Sequence, residues 1–379
     1  MKAIGLIRGK DGIQLFDVSK PAVTSSRQVL VRVIEAGIDG TDLETVARNK
    51  FNMPRGEDTM IVGHEVIGIV EDIGREVTSV AIGDIVVSTV RRGCGLCAPC
   101  LHNRSDMCQT GLYTERGIKG ANGYFTEYFV DDEVYIVRVP EGIEAYAVLA
   151  EPLSIAEKAV DEIKHFRSRA FWSCDYPDHN IESKAWGNCK VGLVIGAGSL
   201  GFLSTAVLRL SGVQTFVAEI APEDSLKVRL VKELGAQYVN AKDRSAADVI
   251  NETGNPDIII ETSGVTELAL NLTTGLARNG VCVLIGIPSG SREVCLNGDF
   301  MARTLVLENQ IVFGSVNSSR IHFTRALQDL RNLKEEYGTT LSKVIHKRYS
   351  LDECREAFAG YDTDGVKSVF SISEGAARI

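Results

Sequence analysis

Six residues, Gly196-Ala197-Gly198-Ser199-Leu200-Gly201, constrain this chain more than any others. They follow an uninterrupted apolar run, Val191–Ile195, and open a helical pattern that reaches about residue 211. A glycine turn in that context is the dinucleotide fingerprint. The first glycine permits the tight turn, the second lets backbone approach a pyrophosphate, and the third lets helix pack closely on strand. The helix start then offers unpaired N–H groups to the phosphates. A purely structural turn is the alternative, and the texture that follows argues against it. Residues 215–219, 238–240, 257–261, 281–285 and 311–313 read as further strands, with helical stretches over 225–234 and 267–277 between them. Strands alternating with helices predict a parallel, doubly wound sheet. Glu219 stands eighteen residues beyond Gly201, at the end of the second strand. An acid there accepts the ribose hydroxyls of NAD and repels the 2′-phosphate of NADP, and no arginine directly follows it. NAD is therefore favoured and NADP remains open, a solvated strand-end carboxylate being the alternative reading of Glu219.

Before that sheet the texture differs. Short apolar runs at 29–34, 66–70 and 85–87 are punctuated by glycines at 37, 40, 63, 68, 74 and 83, which reads as a β-rich domain with tight turns. Residues from about 165 to 189 lack periodicity and read as a connection or long surface loop. The tail from about 315 holds helix-forming stretches and no second nucleotide signature. The expected boundaries are 1–188 for the β-rich part, 189–314 for the nucleotide part, and 315–379 for a return to the first.

Composition narrows the function. Hydrophobic residues at 44% and charged residues at 24% belong to an ordinary globular chain. A net charge of −9 would repel phosphate backbones and argues against nucleic-acid binding. The least charged run, 191–208, is broken by glycines and serines, so no membrane span is expected, and no secretory signal is read at the N-terminus. Of nine cysteines, Cys94, Cys97, Cys100 and Cys108 crowd one loop and the rest are scattered. That is no disulfide framework; it points to a reduced, cytoplasmic chain with a metal-binding loop. Four thiolates suit tetrahedral zinc and leave no vacant position for chemistry, so the site is structural. An iron–sulfur cluster is the competing metal reading.

Three further stretches contribute polar residues: Gly37-Ile-Asp39-Gly-Thr41-Asp42 in a turn after the strand at 29–34, Gly63-His64-Glu65 at the start of the next, and Leu149-Ala-Glu151-Pro-Leu153 before the connection. With Gly83-Asp84, the cysteine loop and the glycine turn, they occur in the order of the zinc-containing medium-chain dehydrogenases, which this chain resembles across most of its length. Thr89-Val-Arg-Arg92, Tyr113-Thr-Glu115-Arg-Gly-Ile118 and Gly314-Ser-Val-Asn317 narrow the resemblance to the archaeal-type glucose (aldose) 1-dehydrogenase branch.

The resemblance implies a GroES-like catalytic domain joined to a Rossmann domain. It implies a catalytic zinc at Asp39 and His64, with Glu65 and Glu151 as ligating or adjacent carboxylates. Most of the wider family has cysteine where this chain has Asp39, and a carboxylate replacing a thiolate should weaken zinc retention. Two zinc ions per chain follow, one catalytic and one structural. Zinc would polarise the anomeric oxygen of an aldose, Thr41 would pass its proton toward the cofactor ribose, and hydride would leave C1 for the nicotinamide. Glu115 and Asn317 would hold sugar hydroxyls, with Thr41 and Glu151 beside them, and thereby set substrate choice. Thr262, Gly286, Ser315 and Asn317 would join the glycine turn and Glu219 around the cofactor. The family also implies a homodimer or homotetramer. An alcohol or polyol dehydrogenase of the same fold is the alternative enzyme. A non-catalytic zinc-loop interaction protein is the alternative outside enzymes, opposed by the intact GHE, Thr41 and GAGSLG.

Overall fold

The computed structural model describes residues 1–47, 52–170, 174, 176, 179–181, 183, 185–290, 293–359 and 365–373. Six parallel strands form the nucleotide-side sheet in the spatial order Gln237–Asn240, Gln214–Glu219, Val191–Ile195, Ile258–Glu261, Val281–Leu284, Ile311–Gly314. In chain order that is 3-2-1-4-5-6, the Rossmann arrangement, with its switch point between the first and fourth strands. The glycine turn lies beyond the carboxyl end of the first strand, at that switch point. Val191–Ile195 is buried at four of its five positions because helices cover both faces, which explains its continuous apolar run.

The remaining strands are largely antiparallel. The long strand Gln28–Ile38 pairs with Glu65–Ile73 on one side and Lys367–Ser371 on the other, and Tyr128–Asp132 also pairs with it. Ile345–Tyr349 lies outside Lys367–Ser371, so the tail contributes two strands to this sheet besides its helices. A small sheet of Arg91–Arg92, Thr114–Arg116 and Gly120–Ala121 flanks the cysteine loop. The helix Ala150–Ser168 bridges the two regions, packing against Ser199–Leu210 and Arg320–Leu341. Pro152 sits in its first turn, where no amide hydrogen is required, and His165 and Arg167 complement its carboxyl end.

Three local expectations need correction. The strand expected at 29–34 continues to Ile38, so Gly37 and Ile38 are strand residues and not turn. Gly40–Ala47 is a helix, not part of an irregular turn. The connection begins after Ser168, because the bridging helix continues through residues 165–168. Residues 171–173, 175, 177, 178, 182 and 184 of that connection, and 360–364 and 374–379 of the tail, lie outside the described set. No helix among the described residues is long and apolar enough to cross a membrane.

Candidate active site

Asp39, His64 and Glu65 converge, each presenting a ligand atom within 4.8 Å of the others. Their placement follows from the local sequence. Asp39 caps the helix Gly40–Ala47: its Oδ1 accepts from the amides of Thr41 (2.8 Å) and Asp42 (3.1 Å), while Asp42 Oδ2 accepts in return from the Asp39 amide at 3.1 Å. That reciprocal cap occupies one carboxylate oxygen and leaves Oδ2 facing His64 Nε2 at 3.5 Å. Gly63, at φ +89°, turns the chain so that His64 points inward; any side chain there would strike the Phe125 ring. Glu65 is paired with Gly37 on the neighbouring strand, and a Cβ on Gly37 would fall 1.7 Å from Glu65 Oε2. The missing side chain is the space the carboxylate fills.

The charges of this pocket are tightly balanced. Burial alone would make His64 less basic, but Asp39 and Asp42 on its two sides raise its pKa well above the usual imidazole range. Asp42 Oδ1 lies 3.4 Å from His64 Nδ1, and both atoms are buried without a proper hydrogen-bond partner. Lys367, fully buried, donates to both oxygens of Glu65 at 2.6 and 2.8 Å. Burial nevertheless pushes the Glu65 pKa up. Glu151, in the first turn of the bridging helix, lies outside the three-residue set. Burial, with the Glu65 and Asp39 charges adding to it and His64 opposing, pushes Glu151 up to about 8.

Zinc fits this donor set. Ligands bound at about 2.0–2.1 Å in tetrahedral geometry stand roughly 3.3 Å apart, close to the 3.5 Å between Asp39 Oδ2 and His64 Nε2. Asp42 behind Nδ1 supplies the outer carboxylate that orients a ligating histidine. Glu65 is committed to an ammonium and suits the outer position better than a direct bond.

Glu115 and Asn317, 202 residues apart, are brought together: Asn317 Nδ2 donates to Glu115 Oε1 at 2.7 Å. Arg91, paired with Glu115 across the small sheet, donates to the same oxygen from Nε at 3.0 Å. Asn317 holds the left-handed backbone, φ +60°, which asparagine tolerates better than most residues. Gly117, two residues after Glu115, packs on the backbone of Gly63, so this pair borders the His64 turn.

In the glycine turn, Gly196 has φ +98°. A Cβ on Gly201 would fall 2.1 Å from the Gly196 carbonyl oxygen, whereas one on Gly198 would meet nothing. The turn is thus closed where helix meets strand and open where a pyrophosphate would lie. Ser199 Oγ is buried there without a partner, as suits a phosphate-facing hydroxyl. Glu219 accepts from the amides of Ala197, Ile220 and Ala221 at 2.7–3.0 Å, with Lys227 Nζ at 3.4 Å. The Thr262 hydroxyl donates to the Ile195 carbonyl, and Ser315 donates to Glu162. Gly286 packs beside Gly264, where a Cβ would meet its amide nitrogen at 2.4 Å.

The cysteine loop brings the sulfurs of Cys94, Cys97, Cys100 and Cys108 within 4.8 Å of one another, with Cys94–Cys100 and Cys97–Cys108 each at 3.9 Å. Zinc–sulfur bonds of about 2.3 Å in tetrahedral geometry give sulfur separations of about 3.8 Å. The thiols fit that ion.

Residues 144–372 match the family model for the glucose dehydrogenase C-terminus, and residues 25–141 match the alcohol dehydrogenase GroES-like domain. The chain belongs to the glucose dehydrogenase family. It is 33% identical over 374 residues to a glucose 1-dehydrogenase of Methanocella arvoryzae and 38% identical over 374 residues to glucose 1-dehydrogenase 2 of Vulcanisaeta moutnovskia. In both cases the match covers 98% of this chain and 99% of the relative. The glucose dehydrogenase of Haloferax mediterranei, solved with NADP, Zn and gluconolactone, superposes with a TM-score of 0.85 at 32% identity, covering 98% of this chain and 99% of that one.

Within this glucose dehydrogenase framework, sequence reasoning missed Lys367, Asp42 and Arg91 as partners of the site residues. Asp42 was legible: Asp39-x-x-Asp42 is a capping pattern. Lys367 carried no local signal at all.

Proposed function

We propose that the chain oxidises an aldose at C1, transferring hydride to a nicotinamide dinucleotide and giving the aldonolactone. The observation that carries the sugar reading is the Asn317–Glu115 hydrogen bond beside the His64 turn. A simple alkyl alcohol calls for an apolar wall, whereas a carboxylate and an amide suit a polyhydroxylated substrate. A site built to bond hydroxyls discriminates strongly against substrates that lack them.

Zinc, when bound by Asp39 and His64 with Glu65 and Glu151 nearby, supplies Lewis acidity to the anomeric oxygen. The chain's own residues do the rest. Glu115 and Asn317 hold the ring hydroxyls and fix the face of C1 presented to the cofactor. Thr41, on the first turn of the helix capped by Asp39, takes the anomeric hydroxyl proton at its Oγ1 and passes it toward ribose and solvent. The C1–H bond breaks with its electron pair going to the nicotinamide, and the C1–O double bond closes.

The reading includes two zinc ions per chain, the second supported by the sulfur spacing of the cysteine loop. NAD is the favoured acceptor, supported by Glu219 at the second strand end. NADP is the second reading: Lys227 stands beside that carboxylate, and the Haloferax relative was solved with NADP. The reading further places the enzyme in the cytoplasm as a homodimer or homotetramer.

Initial rates of nicotinamide reduction test it, using D-glucose, D-galactose, D-xylose and a simple alcohol with NAD and NADP, before and after chelation. Rates on aldoses that fall on chelation and return with Zn2+ are expected. Turnover confined to the alcohol would overturn the roles of Glu115 and Asn317 in favour of an alcohol or polyol dehydrogenase.

A further inference from the structure

Outside the two sites above, one more cluster of soft donors stands in the connection between the bridging helix and the nucleotide sheet. Cys174 Sγ lies 3.2 Å from His179 Nδ1 and 3.1 Å from Cys189 Sγ, and all three donor atoms fall within 4.8 Å of one another. We propose that Cys174, His179 and Cys189 form a third zinc site that fastens this connection to the entrance of the nucleotide sheet.

The donor chemistry selects the ion. Two thiolates and an imidazole suit zinc and disfavour magnesium or calcium, which take oxygen ligands. Tetrahedral zinc holds a sulfur and a nitrogen ligand about 3.5 Å apart and two sulfurs about 3.8 Å apart. The observed 3.2 and 3.1 Å therefore require openings of about 0.3 Å for the sulfur–nitrogen pair and about 0.7 Å for the two sulfurs. Burial and the neighbouring Cys174 push the Cys189 thiol up, and Lys190 Nζ, 3.4 Å from its sulfur, opposes part of that rise. Histidine is the informative member, because a pair of cysteines serving only for oxidation to a disulfide has no use for a third donor on the same sulfur.

The two anchors differ in what holds them. Cys189 is fixed from the nucleotide side. Gly187 donates its amide to the Ser211 carbonyl and accepts from the Lys190 amide, and the Gln214 amide then donates to the Lys190 carbonyl. Trp186, buried beside it, carries the Lys190 ammonium over its ring at 4.7 Å. Cys174 instead follows the end of the bridging helix by six residues. An ion shared between them joins the end of that helix to the first strand of the nucleotide sheet. Three protein ligands leave a fourth position to water, and Cys189 is exposed, so this zinc should exchange more readily than the one in the four-cysteine loop.

The test is metal content and thiol count on the full-length chain, purified with a phosphine reductant and equilibrated with Zn2+. The wild type should hold one more zinc equivalent than Cys174→Ser/Cys189→Ser, and one more than His179→Ala, with nicotinamide turnover retained in both. Equal zinc in wild type and His179→Ala overturns the site. So does a wild type that holds no extra zinc and, after reductant removal and denaturation, has two thiols fewer than its cysteines allow. If the double cysteine variant fails to fold, the wild type alone decides. One equivalent should pass to a chromogenic chelator ahead of the others with turnover intact, and single-phase release that tracks loss of turnover overturns the proposal.

Discussion

Asp131→Asn should both destabilise this protein and loosen its grip on the sugar, for one reason. Arg91 and Arg92 are adjacent on a strand and point to opposite faces, as do Glu115 and Arg116 on the strand paired with it. On one face Arg91 grips Glu115. On the other, Arg92 and Arg116 converge on Asp131, which accepts from Arg92 Nη2 and from Arg116 Nε at 3.2 Å. The three side chains are 7–16% exposed. Asparagine preserves the shape and removes the carboxylate charge that both guanidiniums, which do not deprotonate, are paired with. Breaking a buried pair in this way costs about 3–5 kcal/mol. Burial alone would raise the Asp131 pKa, but Arg92 and Arg116 hold it below the ordinary 3.8. A carboxyl depressed in the folded state contributes stability that is present above the unfolded pKa and is lost as pH falls through the folded one. The gap between wild type and Asp131→Asn, measured by urea unfolding, should therefore be full at pH 7, begin to narrow below about pH 4 and close only below the depressed folded pKa. Because the same two strands carry Glu115, KM for the aldose should rise while KM for the nicotinamide holds. A gap under about 1 kcal/mol at pH 7, or one unchanged at pH 3, refutes the reasoning.

Three other outcomes follow from the site. Lys367→Met strands the buried Glu65 carboxylate and should lower stability by about 3–5 kcal/mol in urea unfolding, and Lys367→Met/Glu65→Gln should recover much of the loss. Asp39→Cys exchanges a hard ligand for a soft one, so zinc should leave to a chelator more slowly, while loss of the helix cap costs about 1 kcal/mol. Glu115→Gln removes a charged hydrogen-bond acceptor worth about 1.5–3 kcal/mol, so kcat/KM for the aldose should fall roughly 10- to 100-fold with the nicotinamide KM unchanged.

The nucleotide half was the more legible because its information is local. The central strands of the parallel sheet, Val191–Ile195, Ile258–Glu261 and Val281–Leu284, are short runs dominated by apolar residues, and the glycine turn states its own geometry in six consecutive positions. The candidate active-site pocket is a different kind of object. Glu65 and Lys367 are neutralised by each other across 302 residues of chain, and nothing near Lys367 distinguishes it from a surface lysine. The pairing exists only once Lys367–Ser371 joins the sheet beside Gln28–Ile38. The helix Gly40–Ala47 was hidden for the opposite reason: Gly37, Gly40 and two aspartates look like a turn, and the same aspartates that cap the helix also face the histidine. Where one residue serves both local structure and chemistry, its local signal is read first.

The four-cysteine loop illustrates how far such joint service extends. Asp106 lies within that loop, its carboxylate fully buried and held at 2.9 Å by Lys158 of the bridging helix. Lys158 also donates to the Val316 carbonyl, one residue before Asn317. Asn317 donates to Glu115, Glu115 accepts from Arg91, and Arg91 donates through Nη1 to the Asp106 backbone carbonyl at 2.6 Å. The contacts close a ring. A buried ion pair is weak evidence for stability but strong evidence for position, since misplacing either charge strands the other. Asp106 is two residues from Cys108, so whatever orders the cysteine loop also sets where Asn317 and Glu115 stand. A metal bound in that loop would need no vacant coordination position to matter to the reaction. It would fix one corner of the frame that carries Glu115 and Asn317, and the left-handed backbone of Asn317 is sustained by the same ring.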